Sequence, residues 1–120
     1  MTDKHAGDRY EIEQLLYRYA WMADKRKWEL MDSVFAPEAT VDYTSTGGKK
    51  GPYRPTLEWL HRALEGWPVN LHFTSNICIE IDGDRANCRC MFLAPMARQR
   101  ADGSQAVSYT HLTLPTSDLV

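Results

Sequence analysis

Apolar residues in this chain recur with one period in its first half and another in its second. Ile12, Leu15, Leu16, Tyr19, Met22 and Ala23 lie three and four apart, the repeat of one face of an α-helix. From Leu71 the period drops to two. Leu71, Phe73, Ile77, Ile79 and Ile81 fall on one side of an extended chain, and His72, Thr74, Asn76, Cys78 and Glu80 on the other, as in a strand. Helical pattern first and strand pattern afterwards restricts the fold to α+β, with helices packed on one face of a curved, mostly antiparallel sheet.

Local signals divide the chain further. Asp8 followed by Glu11 fits an acidic variant of the capping box, opening a helix of roughly four turns. Polar "DKRK" (24 to 27) interrupts the stripe; Trp28, Met31, Val34 and Phe35 then make a second short apolar face that Pro37 ends. "ATVDYTS" (39 to 45) has the β-branched and aromatic content of a strand, and "TGGKKGPYRP" (46 to 55) reads as a loop. "TLEWLHRALEG" (56 to 66) reads as a third helix, with Thr56 as N-cap and Gly66 as stop. "DGD" (82 to 84) is a hairpin turn into the strand "RANCRCMFLAPM" (85 to 96). No internal repeat or low-complexity tract is present.

Composition narrows the class. A chain of 120 residues, 43% hydrophobic and 25% charged, has the makeup of one soluble globular domain. With a net charge of -2 and the cations scattered among acids, there is no basic field for a phosphate backbone, so nucleic acid is not an expected partner. The polar start "MTDKHAGDRYEIEQ" lacks the apolar core of a secretion signal, and no apolar run is long enough for a membrane span, so a cytoplasmic protein is expected. Cys78, Cys88 and Cys90 form an odd set without a CxxC pair, and His5, His61, His72 and His111 are dispersed. That spacing points to reduced thiols, with no disulfide framework, no metal site and no cofactor. "GGKKG" (47 to 51) lacks the ending of a phosphate loop and reads as a mobile lid or surface turn.

One short stretch raises a chemical question. "VNLHFTSN" (69 to 76) places His72 between apolar Leu71 and Phe73. Taken alone, a strand histidine is more often a satisfied structural residue than a working one. Likewise Asp24 reads as a solvated helix-end acid, Tyr19 as a core aromatic and Tyr43 as an ordinary strand residue. A histidine oriented by a carboxylate can move protons, however, because the partner fixes the tautomer and stabilises the imidazolium. A phenol can donate to a carbonyl or enolate oxygen as charge develops there. His61 beside Leu60 and Leu64, and Asn76 and Glu80 on the His72 side of the strand, are weaker candidates that a partly buried or solvated face explains equally well.

"YRYAWMADKRKWELMDSVFAPEATVDY", followed by a loop, a helix and "LHFTSNICIEIDGDRANCRCMF", resembles the SnoaL-like branch of the nuclear transport factor 2-like superfamily over about residues 8 to 98. It is similar in particular to scytalone dehydratase and bile acid 7-alpha-dehydratase. The resemblance implies helices closing a cone-shaped sheet around an apolar pocket, with Asp24 at the first helix junction facing His72 on a central strand. It adds Tyr19, five residues before the Asp, and Tyr43 in "VDY". Two positions depart from scytalone dehydratase: its second histidine falls at Cys90, and its tyrosine just before the Asp is Ala23.

The expected function is therefore a dehydratase or isomerase, a lyase-type enzyme acting on a small cyclic hydroxy-carbonyl compound that is steroid-like, polyketide or aromatic. His72, Asp24, Tyr19 and Tyr43 would carry the chemistry, inside a pocket of Trp21, Trp28, Phe35, Leu57, Leu60, Phe73 and Cys90. Two alternatives remain: a non-catalytic ligand-binding or assembly subunit, such as a dioxygenase β-subunit-like protein, and an epoxide hydrolase of the limonene type. For the hydrolase, Asp24 lacks a convincing acid and Arg partner set. The resemblance also implies a homodimer or homotrimer, with the Ile77, Ile79 and Ile81 stripe covered by helices or a second subunit. If the odd-numbered side faces the helices, His72 points away from the pocket; in the family, apolar cover on both sheet faces resolves this. Finally, "ADGSQAVSYTHLTLPTSDLV" is expected to hold at most one short strand, leaving the sheet incomplete at the C-terminus. Residues 1–107 are read as the domain and 108–120 as a foreign, non-native tail, which removes His111 from the site.

Overall fold

In the computed structural model residues 4–117 are described, with side chains through residue 107. Helix α1 runs Ala6–Asp24, a 3-10 turn spans Trp28–Leu30, and α2 is the single turn Met31–Val34. Strands β1 (Thr40–Asp42) and β2 (Lys50–Pro52) precede α3 (Tyr53–Leu64); β3 (Val69–Asn70), β4 (Phe73–Asp82), β5 (Arg85–Gln99) and β6 (Gln105–Ser117) follow. The expected α+β architecture holds: helices come first, and every strand pair is antiparallel.

Helix boundaries differ in detail from the sequence signals. The first helix starts two residues before Asp8, with His5 at its N-cap and no side-chain cap. Asp8 lies instead in the first turn, where a carboxylate complements the exposed N–H groups. The third helix begins at Tyr53, not after Thr56, because Pro55 falls in its first turn, where a missing N–H costs nothing. Thr56 is thereby buried. The stretch 46 to 55 is no free loop: β2 pairs with β1, Val41 opposite Gly51, making a two-stranded hairpin.

The main sheet is built on β5. Along one edge lie β3 and then β4, and along the other β6, which pairs with β5 from Asn87↔Ser117 to Gln99↔Gln105. The expectation of at most one short strand after Gln99 is therefore corrected: β6 is 13 residues long. Its alternation of β-branched and aromatic residues with polar ones suits a strand. Residues 118–120 and the His111 side chain, to which the expectation of a foreign tail also applied, lie outside what is described.

A break in β4 decides which side chains reach the interior. Ser75 pairs with Met91 and Cys78 with Arg89, so Asn76 and Ile77 together oppose the single residue Cys90, a β-bulge. Asn76 takes a left-handed backbone, φ +54°, which asparagine tolerates better than most residues. A one-residue insertion reverses the parity of a strand. Before the bulge, even-numbered His72 and Thr74 turn inward; after it, odd-numbered Ile77, Ile79 and Ile81 do. The expected conflict between an inward isoleucine stripe and an inward His72 thus disappears without cover on both faces. Leu71 and Phe73 are left on the outside.

Two apolar clusters fill the interior. One comprises Met22, Ala23, Trp28, Met31, Tyr53, Leu57 and Leu64; the other joins Ile12 and Leu16 of α1 to Ala86, Cys88, Cys90 and Phe92 of β5, with Ile77, Ile79 and Ile81 packed against it. The isoleucine stripe is covered by α1, as expected, and Arg9 of that helix donates to the Ile79 carbonyl at 2.7 Å.

Candidate active site

Asp24 is the last residue of α1, and the chain then turns sharply, with Arg26 at φ +56°. The Arg26 guanidinium donates to the carbonyls of Leu64, at 3.0 Å, and Trp67, at 2.6 Å. These carbonyls lie at the C-terminal end of α3, where free acceptors collect. The end of one helix is thus tied to the end of another, and Asp24 is fixed at their junction.

From there its carboxylate reaches across to the strand. One oxygen accepts from His72 Nδ1 at 2.5 Å and the other from the His72 backbone N–H at 2.8 Å. Because a carboxylate only accepts, Nδ1 carries the proton of this hydrogen bond, and in that tautomer the free lone pair is on Nε2. Side-chain exposure is 13% for His72 and 11% for Asp24, which separates the pair from a screened surface ion pair.

Two phenols adjoin this pair. Tyr19, on α1, meets Tyr43 oxygen to oxygen at 2.6 Å. Its ring stacks on Phe92 with centroids 6.0 Å apart and stands edge-on to His72 at 6.2 Å. Burial pushes the Tyr19 phenol up to about 12; the Tyr43 hydrogen bond lowers it and the Asp24 charge raises it further. Burial likewise raises the Tyr43 phenol well above its ordinary range, followed by the charge and hydrogen bond of Tyr19. Both therefore stay protonated at neutral pH. One hydroxyl proton is spent within the pair, which leaves the other for a third oxygen.

Tyr43 is held by the segment read from sequence as a lid. Its N–H donates to Lys49 O at 2.8 Å and its carbonyl accepts from Gly48 N–H at 2.9 Å. A Cβ on Gly48 would come within 2.7 Å of Tyr43 Cβ and 2.8 Å of Trp59. "GGKKG" is a hairpin closed on Tyr43, and Gly48 is glycine for lack of space.

Of the expected pocket residues, Trp28 and Leu57 are in the first cluster with Phe35 and Leu60 packed against it, and Cys90 is in the second. Burial, then the neighbouring Cys88, pushes the Cys90 thiol up to about 11, so it stays a neutral part of the apolar wall. Trp21 and Phe73 do not join them. Trp21 is 59% exposed, with Lys25 over its ring, and Phe73, turned outward ahead of the bulge, is 56% exposed. His61 stacks on Trp28 with centroids 5.2 Å apart and lies 4.0 Å from Glu65. Asn76 and Glu80 are exposed. Among the described residues no three His, Cys, Asp or Glu side chains gather as metal ligands would, and no helix is long and apolar enough to cross a membrane.

Sequence reasoning missed Asn70. It is 5% exposed, and neither its side-chain oxygen nor its nitrogen has a hydrogen-bond partner; Thr74 Oγ1 is also buried without one. The available signal was the polar alternation Asn70, His72, Thr74 inside an otherwise apolar strand.

Comparison with known proteins gives consistent answers. The SnoaL-like domain family matches residues 4–114. Uncharacterized proteins of Mycobacterium tuberculosis and Mycobacterium bovis are each 39% identical over 90 residues, 75% of this chain and 61% of theirs. The chain thus spans under two thirds of the length of these curated relatives. A Kribbella flavida protein of known crystal structure shares the fold with a TM-score of 0.75 at 24% identity, over 89% of this chain and 78% of its own.

Proposed function

The chain belongs to the SnoaL-like domain family, and on that footing we propose that it is a cofactor-independent lyase or isomerase acting on a small, largely apolar cyclic hydroxy-carbonyl compound. The observation that carries this reading is the part-buried Asp24 carboxylate, which engages both the His72 ring and its backbone. In the proposed reaction His72 Nε2 removes a proton from the carbon beside the carbonyl. The Tyr19 and Tyr43 pair donates its remaining hydroxyl proton as a hydrogen bond to the carbonyl oxygen as enolate charge forms. When the enolate collapses, the β-carbon to oxygen bond breaks. The imidazolium returns its proton to the departing hydroxide, so water leaves and the enzyme is restored.

The phenols stay protonated at neutral pH and so do not supply a base, which supports the reading of His72 in that role. General acid and base groups contribute on the order of a hundred- to ten-thousand-fold in rate. His72→Ala should therefore nearly abolish turnover of cyclic β-hydroxy ketones with the circular dichroism spectrum unchanged. Asp24→Asn should reduce turnover less if its carboxylate orients the ring. Wild-type turnover by His72→Ala on a substrate the native protein dehydrates would make the pair structural.

The alternative, a ligand-binding or assembly subunit, has one observation in its favour: Val69, Leu71, Phe73, Met91, Leu93 and Val107 are exposed apolar residues on β3 to β6 and the link between β3 and β4. Contiguous apolar surface of this kind marks association. We assign it to a homodimer or homotrimer contact, which serves either reading, and sedimentation at micromolar concentration tests it.

A further inference from the structure

The strongest feature outside the His72 and Asp24 pair is the unpartnered Asn70 carboxamide. A primary amide offers two donors and an acceptor, and burying it without partners is costly. Native interiors avoid such groups, so each one requires a reason. Asn70 pairs across the sheet with Met96, which packs against the cluster of Met22, Trp28 and Leu57. Leu71 N–H continues the ladder to Pro95 O at 3.1 Å, and Thr74 pairs with Phe92. Asn70, His72 and Thr74 therefore turn inward in succession while Val69, Leu71 and Phe73 turn out. Successive inward positions on a strand are about 6.8 Å apart.

We propose that Asn70 is a substrate-recognition residue, its carboxamide binding an oxygen function of the substrate that lies roughly 7 Å from the carbon at His72. This rests on the reading of His72 as the base. The spacing corresponds to the far side of a fused two-ring skeleton, so the substrate class narrows to at least bicyclic compounds with a hydroxyl or keto group remote from the reacting carbonyl. Because the amide both donates and accepts, it suits a hydroxyl, which does both. A single-ring substrate leaves the amide unpaired.

The test uses 6-hydroxy-2-decalone and 2-decalone, which differ only in the remote hydroxyl. The 120-residue protein and each variant are titrated with both compounds and followed through the backbone amide signals of residues 69 to 75 in nitrogen-15 spectra. A site built to hydrogen-bond a hydroxyl rejects the analogue lacking it, so the native protein should favour 6-hydroxy-2-decalone at least about tenfold. Asn70→Leu should bring that ratio to about one, leave 2-decalone affinity within about twofold, and raise the urea midpoint, since a buried unpaired amide has been removed. Asn70→Ala should erase the ratio too, which covers the case in which leucine does not fit. A native protein without the preference, or a preference surviving both variants, overturns the proposal. If Asn70→Leu keeps the ratio while His72→Ala loses turnover, the base stands and the recognition role falls.

Discussion

Residues 69 to 75 and residues 77 to 82 are neighbouring parts of one extended segment against β5, yet they do opposite things. The first part turns polar Asn70, His72 and Thr74 inward and leaves apolar Leu71 and Phe73 in solvent. The second turns Ile77, Ile79 and Ile81 inward and leaves polar Cys78, Glu80 and Asp82 outside. Only the second behaves as a half-buried strand should on hydrophobic grounds. A single extra residue at Asn76 lets one strand serve as a core wall at one end and a site wall at the other. The burial that stabilises the far half supports a near half that buries polar groups at a cost.

The largest test of this contrast is to remove the insertion. Deleting Asn76 restores strict alternation, and either the isoleucines or His72 and Thr74 must then face out. Full burial of an isoleucine side chain is worth about 1.5–3 kcal/mol. Losing even half of that at three positions costs about 2–4 kcal/mol, a large share of the stability of a marginal domain. A deletion variant with the native urea midpoint would show that the bulge does not set the parity.

A second test separates the halves by pH. The near half adjoins Tyr19, whose phenol is raised from 10.0 to about 12; beside the isoleucine stripe the Cys90 thiol, pushed up to about 11, titrates in the same range, so the Tyr19 contribution is isolated by comparison with Tyr19→Phe. Below pH about 10 the phenol is neutral in the folded and unfolded chain alike, and the native state loses nothing. Above that the unfolded chain ionises while the folded one resists, so stability falls as pH rises through the interval and levels off beyond about 12. The step from 10.0 to about 12 corresponds to roughly 3 kcal/mol. The stability difference between the native protein and Tyr19→Phe should be flat from pH 7 to 9.5 and then move against the native protein. A flat difference through pH 11.5 would mean the phenol is solvated.

How much of this contrast sequence revealed depends on the residue. The isoleucine stripe, the helical stripe of α1 and the hairpin at 82 to 84 follow from periodicity, because burial enforces it. Asp24, Tyr19, Tyr43 and His72 were found by resemblance, since no spacing rule brings the end of a helix to a strand 48 residues on. The bulge was masked because Asn76 fits the even-numbered polar side as readily as it fits a left-handed kink; asparagine in mid-strand was the clue. Trp21 and Phe73 were misplaced for related reasons: hydrophobic identity was taken for burial at positions whose backbone direction points outward. The β1 to β2 hairpin escaped because its glycines obscured strands stabilised by their partners, and the length of β6 because residues from 108 on read as a foreign tail.

Ile79 and Phe73 make the third test, having the same odd parity on one strand but opposite environments. Ile79→Ser removes a side chain packed between α1 and β5 and should cost about 2 kcal/mol, at the lower end of core truncations because the site is partly open. The effect should be the same at every protein concentration, since all the lost contacts are within the chain.

Phe73→Ser is the smallest effect and the most discriminating. An exposed side chain outside both apolar clusters contributes within about 0.5 kcal/mol, so the larger residue should cost less than the smaller one. Urea midpoints for both variants, measured over a hundredfold range of protein concentration, separate two origins for whatever cost appears. A cost of Phe73→Ser that grows with concentration belongs to association through the outer face, because binding stabilises the folded state by mass action. A concentration-independent cost as large as that of Ile79→Ser would instead place Phe73 in the interior. Phe73 and Ile79 would then share one side of an unbroken strand, and the parity switch at Asn76 would be wrong.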